Sequence, residues 1–361
     1  MLRFLLAFIL IIAVLPVSAQ NDPLKLEWSE TWNFEKGLIP IGIKVDHWNN
    51  IYSAATIYSA ENSNIMLLKY GSNKTLLWAK EFDNNDNELV SDMVVRGHAI
   101  YLVGKANDLL LLLKYNSDGE LLWAKYASVK TKGLPSLDVD AKYVHVVLGN
   151  WMIRYDKMNG EVSETYKLEE DKNKIMFDFI NVYGNNVYLA GQSANKLDIV
   201  LQKRDLNGNM LWNITRESQS IEGARHIFLY GGMLYVTGIE GSVIIDNGRM
   251  RGVADLLLVK YDKSGNLIWE RTWGTNSTLE WGFSDRAYRN KLYVVGLTSS
   301  GTDINGTSTI LQSYDLDGNL QWSTVRNEIN RGVGIDVKDN KVFLVGSHEN
   351  DVLIQEYTKK G

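Results

Sequence analysis

The chain of 361 residues contains no cysteine, only 4 prolines and no block of basic residues. Without cysteine there is no disulfide framework, no Cys-ligated zinc, no iron–sulfur cluster, no thiol nucleophile and no Cys-anchored lipoprotein. Lys and Arg number 38 against 43 Asp and Glu, a net charge of −5, and this mild acidity argues against nucleic acid as a partner. Long apolar runs are missing beyond the first residues. Phe4 to Val17 is one such run, but its length is short of the ~20 residues that a spanning helix needs. Met1-Leu2-Arg3 precedes it and Val17-Ser18-Ala19 follows, the pattern of a secretory signal peptide over residues 1–19. The expected protein is therefore secreted, extracellular or held at the cell surface (periplasmic in a Gram-negative cell), with no membrane insertion after cleavage. Standard catalytic signatures are also missing. The chain has no GxSxG, GxxxxGK[ST] or GxGxxG, and its five His show no HxxxH or HExxH spacing.

What is present is repetition. Tyr70-GSNKTLL-Trp78, Tyr115-NSDGELL-Trp123, Arg204-DLNGNML-Trp212, Tyr261-DKSGNLI-Trp269 and Tyr314-DLDGNLQ-Trp322 share one frame. Tyr155-DKMNGEV has one extra turn residue and places Glu164 at the Trp position, and a seventh frame starts at Tyr357. Each frame predicts a β-hairpin: an apolar strand, a turn with Gly in the left-handed conformation, and a strand whose Leu-x-Trp pair points to one face. A second pair of strands precedes each hairpin and ends in text such as Ile100-Tyr-Leu-Val-Gly104 or Leu292-Tyr-Val-Val-Gly296. The markers are 45, 40, 49, 57, 53 and 43 residues apart. Four strands, a to d, in a unit of that length specify a β-propeller blade. The expected fold is thus all-β, a seven-bladed β-propeller of four-stranded antiparallel blades spanning residues 20–361 as one domain. The blades are expected over roughly 42–82, 90–127, 134–168, 175–217, 223–274, 282–327 and 332–361. The last lacks a strand, and Leu26-Glu-Trp28-Ser-Glu-Thr-Trp32 matches Leu267-Ile-Trp269-Glu-Arg-Thr-Trp273, so residues 25–34 are expected to complete it and close the ring.

On these residues, Leu258 to Gly274 above all, the chain resembles the β-propeller repeats of secreted bacterial and archaeal proteins (SBBP repeats). The resemblance covers nearly all the mature chain and implies a fold, not a reaction. The repeats also resemble those of quinoprotein propellers that hold pyrroloquinoline quinone. Those enzymes are larger and usually calcium-dependent, and their vicinal cysteine pair is impossible here, so no cofactor is expected.

The c–d turns are short and uniform, whereas the b–c loops vary, and loops on a rigid scaffold carry function. The b–c/d–a face is therefore the expected binding face for a protein, glycan or surface-layer partner. Insertions at 239–254, with Asp246, Arg249 and Arg251, and at 297–308, with Asp303, would rise there. The starts of the innermost strands would open into the channel mouth on that face. One row holds Lys44, Val94, Asp138, Asn181, Phe228, Arg286 and Asp336. The row two residues earlier holds Gly42, Asp92, Ser136, Phe179, His226, Ser284 and Gly334. Between them an apolar row is broken by Asp285. Asp92, His226, Trp281, Asp285 and Arg286 are the candidate ligand-binding residues. An alternative is an exported polysaccharide hydrolase or lyase using carboxylates among Asp92, Asp138, Asp285 and Asp336, although no catalytic residue is assigned. Turn chemistry accounts for Asp315-x-Asp317-Gly318. The acidic loop Asp83-Asn-Asn-Asp86-Asn-Glu88 offers the clustered oxygens that calcium favours, but no metal site is assigned. Asn73, Asn213, Asn276 and Asn305 head N-glycosylation sequons.

Overall fold

Strands of four to fourteen residues, broken by Gly- and Asx-containing turns, fold into seven separate four-stranded antiparallel sheets. This architecture is seen in a computed structural model. It describes residues 22–33, 37–129, 133–168, 175–194, 197–218, 220–246, 249–275, 278–299 and 307–360, with only the backbone described for 243–246 and 249–251. The signal-peptide reading falls on residues outside this set. In six blades the strands follow chain order from the channel outwards. Their innermost a strands are Leu38–Val45, Glu88–Arg96, Ser136–Val139, Met176–Tyr183, Ile221–Tyr230 and Glu280–Tyr288. Blade 7 is built from Arg331–Lys338, Lys341–His348, Asp351–Lys359 and, as its outer strand, Leu24–Trp32. Each a strand packs against those of both neighbouring blades, so the sheets form a closed ring.

Apolar side chains fill the space between adjacent blades. Tyr52, Ala54 and Leu67 of blade 1, for example, meet Met93, Leu102 and Leu113 of blade 2. The repeat residues form a second layer of contacts near the rim. In blades 1, 2, 4 and 5 the strand-b Tyr, the Lys before or at the marker and the strand-d Trp lie side by side. The Tyr–Trp ring centres are 6.1–6.2 Å apart, and the Lys ammonium is over the Tyr ring. Those lysines reach into the next blade. Lys69, Lys114, Lys203 and Lys260 donate to the carbonyls of Ser117, Lys157, Lys263 and Leu316 in its c–d turn. Trp78, Trp212 and Trp269 donate to the same carbonyls as their blade's lysine. The turn Gly of the following blade presses on the Trp: a Cβ on Gly318, at φ +82°, would lie 2.9 Å from the Trp269 ring. Thus most of the repeated Trp residues form locks between blades. Blade 3 substitutes Arg154 and Tyr166, both of which donate to Leu206 O.

Three expectations need correction. The Leu-x-Trp pair does not share a face. The pairing Lys69–Trp78 is followed by Tyr70–Leu76, so Leu77 is a one-residue bulge, and the same slip occurs in every outer strand. A bulge breaks the two-residue alternation, which leaves Leu76 44% and Leu267 52% exposed beside a Trp269 that is 9% exposed. The 239–254 insertion is not a loop. Met233–Asp246 and Arg249–Asp262 continue as one long hairpin paired out to Asp246–Arg249. Finally, the row Lys44, Asp138, Arg286 and Asp336 lies within two residues of the last residue of its a strand, beside the a–b turns. It therefore faces away from the b–c/d–a end. Counting back from the strand-b aromatic crosses the short a–b turn, and the row lands on its far side.

Candidate functional site: the central channel

The innermost strands of six blades carry a bulge of their own, between Pro40/Gly42, Val90/Asp92, Phe177/Phe179, Ala224/His226, Gly282/Ser284 and Gly332/Gly334. The extra residues are Ile41, Ser91, Asp178, Arg225, Phe283 and Val333. Together with Pro135 of blade 3 they ring the channel. The bulge pushes a carbonyl of strand a against strand b. A Cβ on Gly104 would sit 1.8 Å from Leu89 O, and Gly191, Gly238, Gly296 and Gly346 meet the matching carbonyls. This close approach is why the strand-b text ends in Gly.

The channel encloses a cavity of about 380 Å³ lined by all seven innermost strands, within the range of small-molecule sites. Its walls are held by a recurring device. An a strand pairs with strand b on one side only, leaving N–H groups on the other. Asp92 accepts from Leu137 N at 3.0 Å and Ser136 Oγ at 2.7 Å. Asp138 accepts from Val182 N at 2.7 Å and Asn181 Nδ2 at 3.0 Å, and Asp336 accepts from Val45 N at 2.8 Å. Each carboxylate thus caps an unpaired donor of the next blade, at the residue following its own counterpart. Arg286 bridges blades 6 and 7 by pairing with Asp336 at 3.3 Å. His226 Nδ1 bonds Asp285, which is fully buried with its second oxygen unpartnered, while the imidazole lines the cavity. The structure therefore brings Asp92 and His226 to the cavity wall, with Asp285 buried behind His226 and Arg286 outside the lining near the a–b turns; Asp92, Arg286 and the His226–Asp285 pair each tie neighbouring blades together.

Trp281 lies beside the channel but is 8% exposed, packed with Ile239, Ala254, Leu279 and Leu297. The Arg225 guanidinium covers its ring at 5.1 Å. Lys44 has no hydrogen bond or ion pair among the described residues. Burial and the neighbouring Arg286 lower its pKa to about 8, against the pull of Asp336, Asp92 and Asp138.

Composition gave no hint of Asp178, Arg225 and Arg331. Burial raises the Asp178 pKa to about 6, opposed by Arg225. The one available signal was the extra residue in each a strand, visible only once strand register is known. Beside the channel, a groove of about 300 Å³ runs between blades 7 and 1. It is lined by Ile39, Pro40, Tyr58, Arg331, Ser347, Glu349 and Asn350, with Val333 shared by both cavities. Its walls come from the d–a and b–c segments.

In the acidic loop the side chains turn to separate partners: Asp83 to Asn85 N, Asp86 to Asn107 and Glu88 to Asn84 N. Among the described residues no cluster of three metal-ligating side chains is present. Asn73, in the blade 1 turn, and Asn213, on an outer strand, are exposed, whereas Asn276 and Asn305 fall outside the described residues.

No protein-family model and no curated protein sequence matches the chain. Solved structures do. A hydrazine synthase of Kuenenia stuttgartiensis aligns at a TM-score of 0.60 and 9% identity, over 87% of this chain and 94% of that one. The Dos1 propeller aligns at 0.54 and 12% identity, over 88% and 77%. The quinohemoprotein alcohol dehydrogenase ADHIIG of Pseudomonas putida HK5 aligns at 0.52 and 9%, over 93% and 76%. The chain is a seven-bladed β-propeller. At such identities the likeness, including that to a quinoprotein propeller, is one of fold alone.

Proposed function

We propose that the protein is an exported or cell-surface propeller of the SBBP type that acts as a binding scaffold. It takes a protein, glycan or surface-layer partner on its b–c/d–a face, with part of that partner entering the channel. The observation that carries this reading is the groove on that face and its junction with the channel cavity. A channel cavity of about 380 Å³ meets a groove of about 300 Å³ at Val333, and segments of blades 1 and 7 form the groove walls. Exposed Ile39 and Tyr58 give the groove an apolar lining, the composition expected of a recognition surface. The test is a binding screen of residues 20–361 on cell-envelope fractions and a glycan array. Binding lost in Tyr58→Ala but kept in Trp48→Ala, on the opposite face, supports the reading. Binding to no fraction, or loss with Trp48→Ala alone, overturns it.

A polysaccharide hydrolase or lyase is the second reading. His226, on the cavity wall and bonded to buried Asp285, favours it. Against it, Asp92, Asp138 and Asp336 are occupied in hydrogen bonds between blades. Turnover of a polysaccharide that disappears in His226→Ala would establish it.

A further inference from the structure

We propose that Arg225 and Arg331 form a carboxylate-binding subsite at the channel mouth, which receives a small organic monocarboxylate whose body lies in the adjoining groove. This rests on the loop-face reading above and gives it a ligand chemistry.

The two guanidinium groups come from opposite sides of blade 6. Arg225 is the bulge residue of the blade 5 inner strand, and Arg331 opens the inner strand of blade 7. Blade 6 presents Trp281 and Phe283 between them, edge to face at 5.9 Å. The Arg225 guanidinium carbon stands 5.1 Å from the Trp281 ring centre, and that of Arg331 stands 4.8 Å from Phe283. One aromatic pair therefore holds two cations against their mutual repulsion. Among the described residues neither cation has a hydrogen bond or a carboxylate within ion-pair distance, and Arg225 Nε is shut off from solvent.

Other arginines of the ring are matched. Arg216 meets Glu222, Glu240 and Glu270, Arg326 meets Asp22, and Arg154 meets Glu164. A guanidinium with a buried, unused donor, as Arg225 has at Nε, is costly unless something completes it, whereas exposed Arg331 keeps its donors free for a ligand. A guanidinium is also preorganised for a planar, bidentate acceptor. Asp178 is the nearby carboxylate. It attracts Arg225 but forms no hydrogen bond with it, and its charge disfavours a doubly charged guest such as phosphate. Ile39, Pro40, Tyr58 and Val333 supply the surface for the uncharged body of the ligand.

The test is calorimetric titration of residues 20–361 with hexanoate, benzoate and glucuronate. Each is paired with its neutral amide, and inorganic phosphate is run alongside. At least one carboxylate should bind, with its amide and phosphate both weaker by about tenfold or more. Arg331→Gln, at an exposed position, should lose a similar factor with an unchanged circular dichroism spectrum. Arg225→Lys, which keeps the charge but not the fork, should lose part of it. The subsite is overturned if carboxylates bind no better than amides, if phosphate binds tightest, or if Arg331→Gln leaves affinity unchanged. Envelope binding that persists in Arg331→Gln and is not competed by the carboxylates would remove the subsite and leave the scaffold reading in place.

Discussion

Lys74, at φ +71°, occupies the left-handed turn position filled by Gly in blades 2 to 6. The exchange makes sense only beside Glu356, which stands where blades 1, 2, 4 and 5 have their locking Lys. Lys74 pairs with buried Glu356 and lies over Phe343 at 4.9 Å and Trp28 at 5.7 Å, and Lys341 holds the other carboxylate oxygen at 2.6 Å. At the seam the lock therefore runs with charges reversed. Glu356→Lys should cost about 3–5 kcal/mol, since it gathers like charges at a buried site. The double change Lys74→Gly/Glu356→Lys removes one of the two facing cations, leaving Lys341, and should recover part of that loss in urea denaturation. A double variant no more stable than Glu356→Lys would refute the reversed lock. Asp178 gives a second test. Its folded pKa of about 6 lies above the ordinary aspartate value of 3.8. The folded state therefore keeps a proton that the unfolded state has released, and stability falls as pH rises through this window. Asp178→Asn should raise the melting temperature at pH 7 and change little at pH 4. Equal pH profiles would sink the assignment. The sequence could not show either feature. A lone Lys in a turn and a lone Asp in a strand are ordinary text until the partner across the blade boundary is known.

Blade elements were legible where their signals were local. The c–d turns follow from Asp-x-x-Gly, because the Asp side chain accepts the N–H groups two and four residues on, as Asp315 does from Asp317 and Asn319. Bulges escaped notice, since an inserted residue leaves the apolar text intact while shifting its phase. They also explain the strand-b Gly, which sequence alone registered only as a motif. Gly104→Ala should cost about 2–4 kcal/mol, because its Cβ would overlap Leu89 O. Gly97→Ala, in the same blade's a–b turn at φ +60° with open space around it, should cost only about 1 kcal/mol. Comparable urea midpoints for the two variants would argue against a carbonyl pressed onto strand b.

At the scale of the whole molecule, the repeat and the LxWxxTW echo made the ring and its closing strand readable, because both depend on comparing the chain with itself. The channel was only partly readable. Its residue types were found, but the level of the Lys44 row was misplaced. The residues proposed to hold a carboxylate arise from bulges that no repeat text announces. Closure also brings the chain ends together: Lys360 N donates to Pro23 O at 2.8 Å, and Arg326 grips Asp22 at 2.6 and 2.9 Å. A circular permutant that joins residue 360 to residue 22 and opens in the 83–87 loop should therefore fold with an unchanged β spectrum. Deletion of 20–33 should leave blade 7 unfinished and the protein aggregation-prone. A deletion variant as soluble and cooperative as the intact chain would contradict the closing role of that strand.

Ring closure also sets a timetable for biosynthesis. The pairing of Trp32 with Val352 and of Leu24 with Lys359 makes the first strand synthesised depend on the last one. At ~5–20 residues per second the ribosome needs on the order of tens of seconds to supply the partner. Through that wait the strand must avoid other strands, and Lys25, Glu27 and Glu30 give it charges that discourage premature pairing.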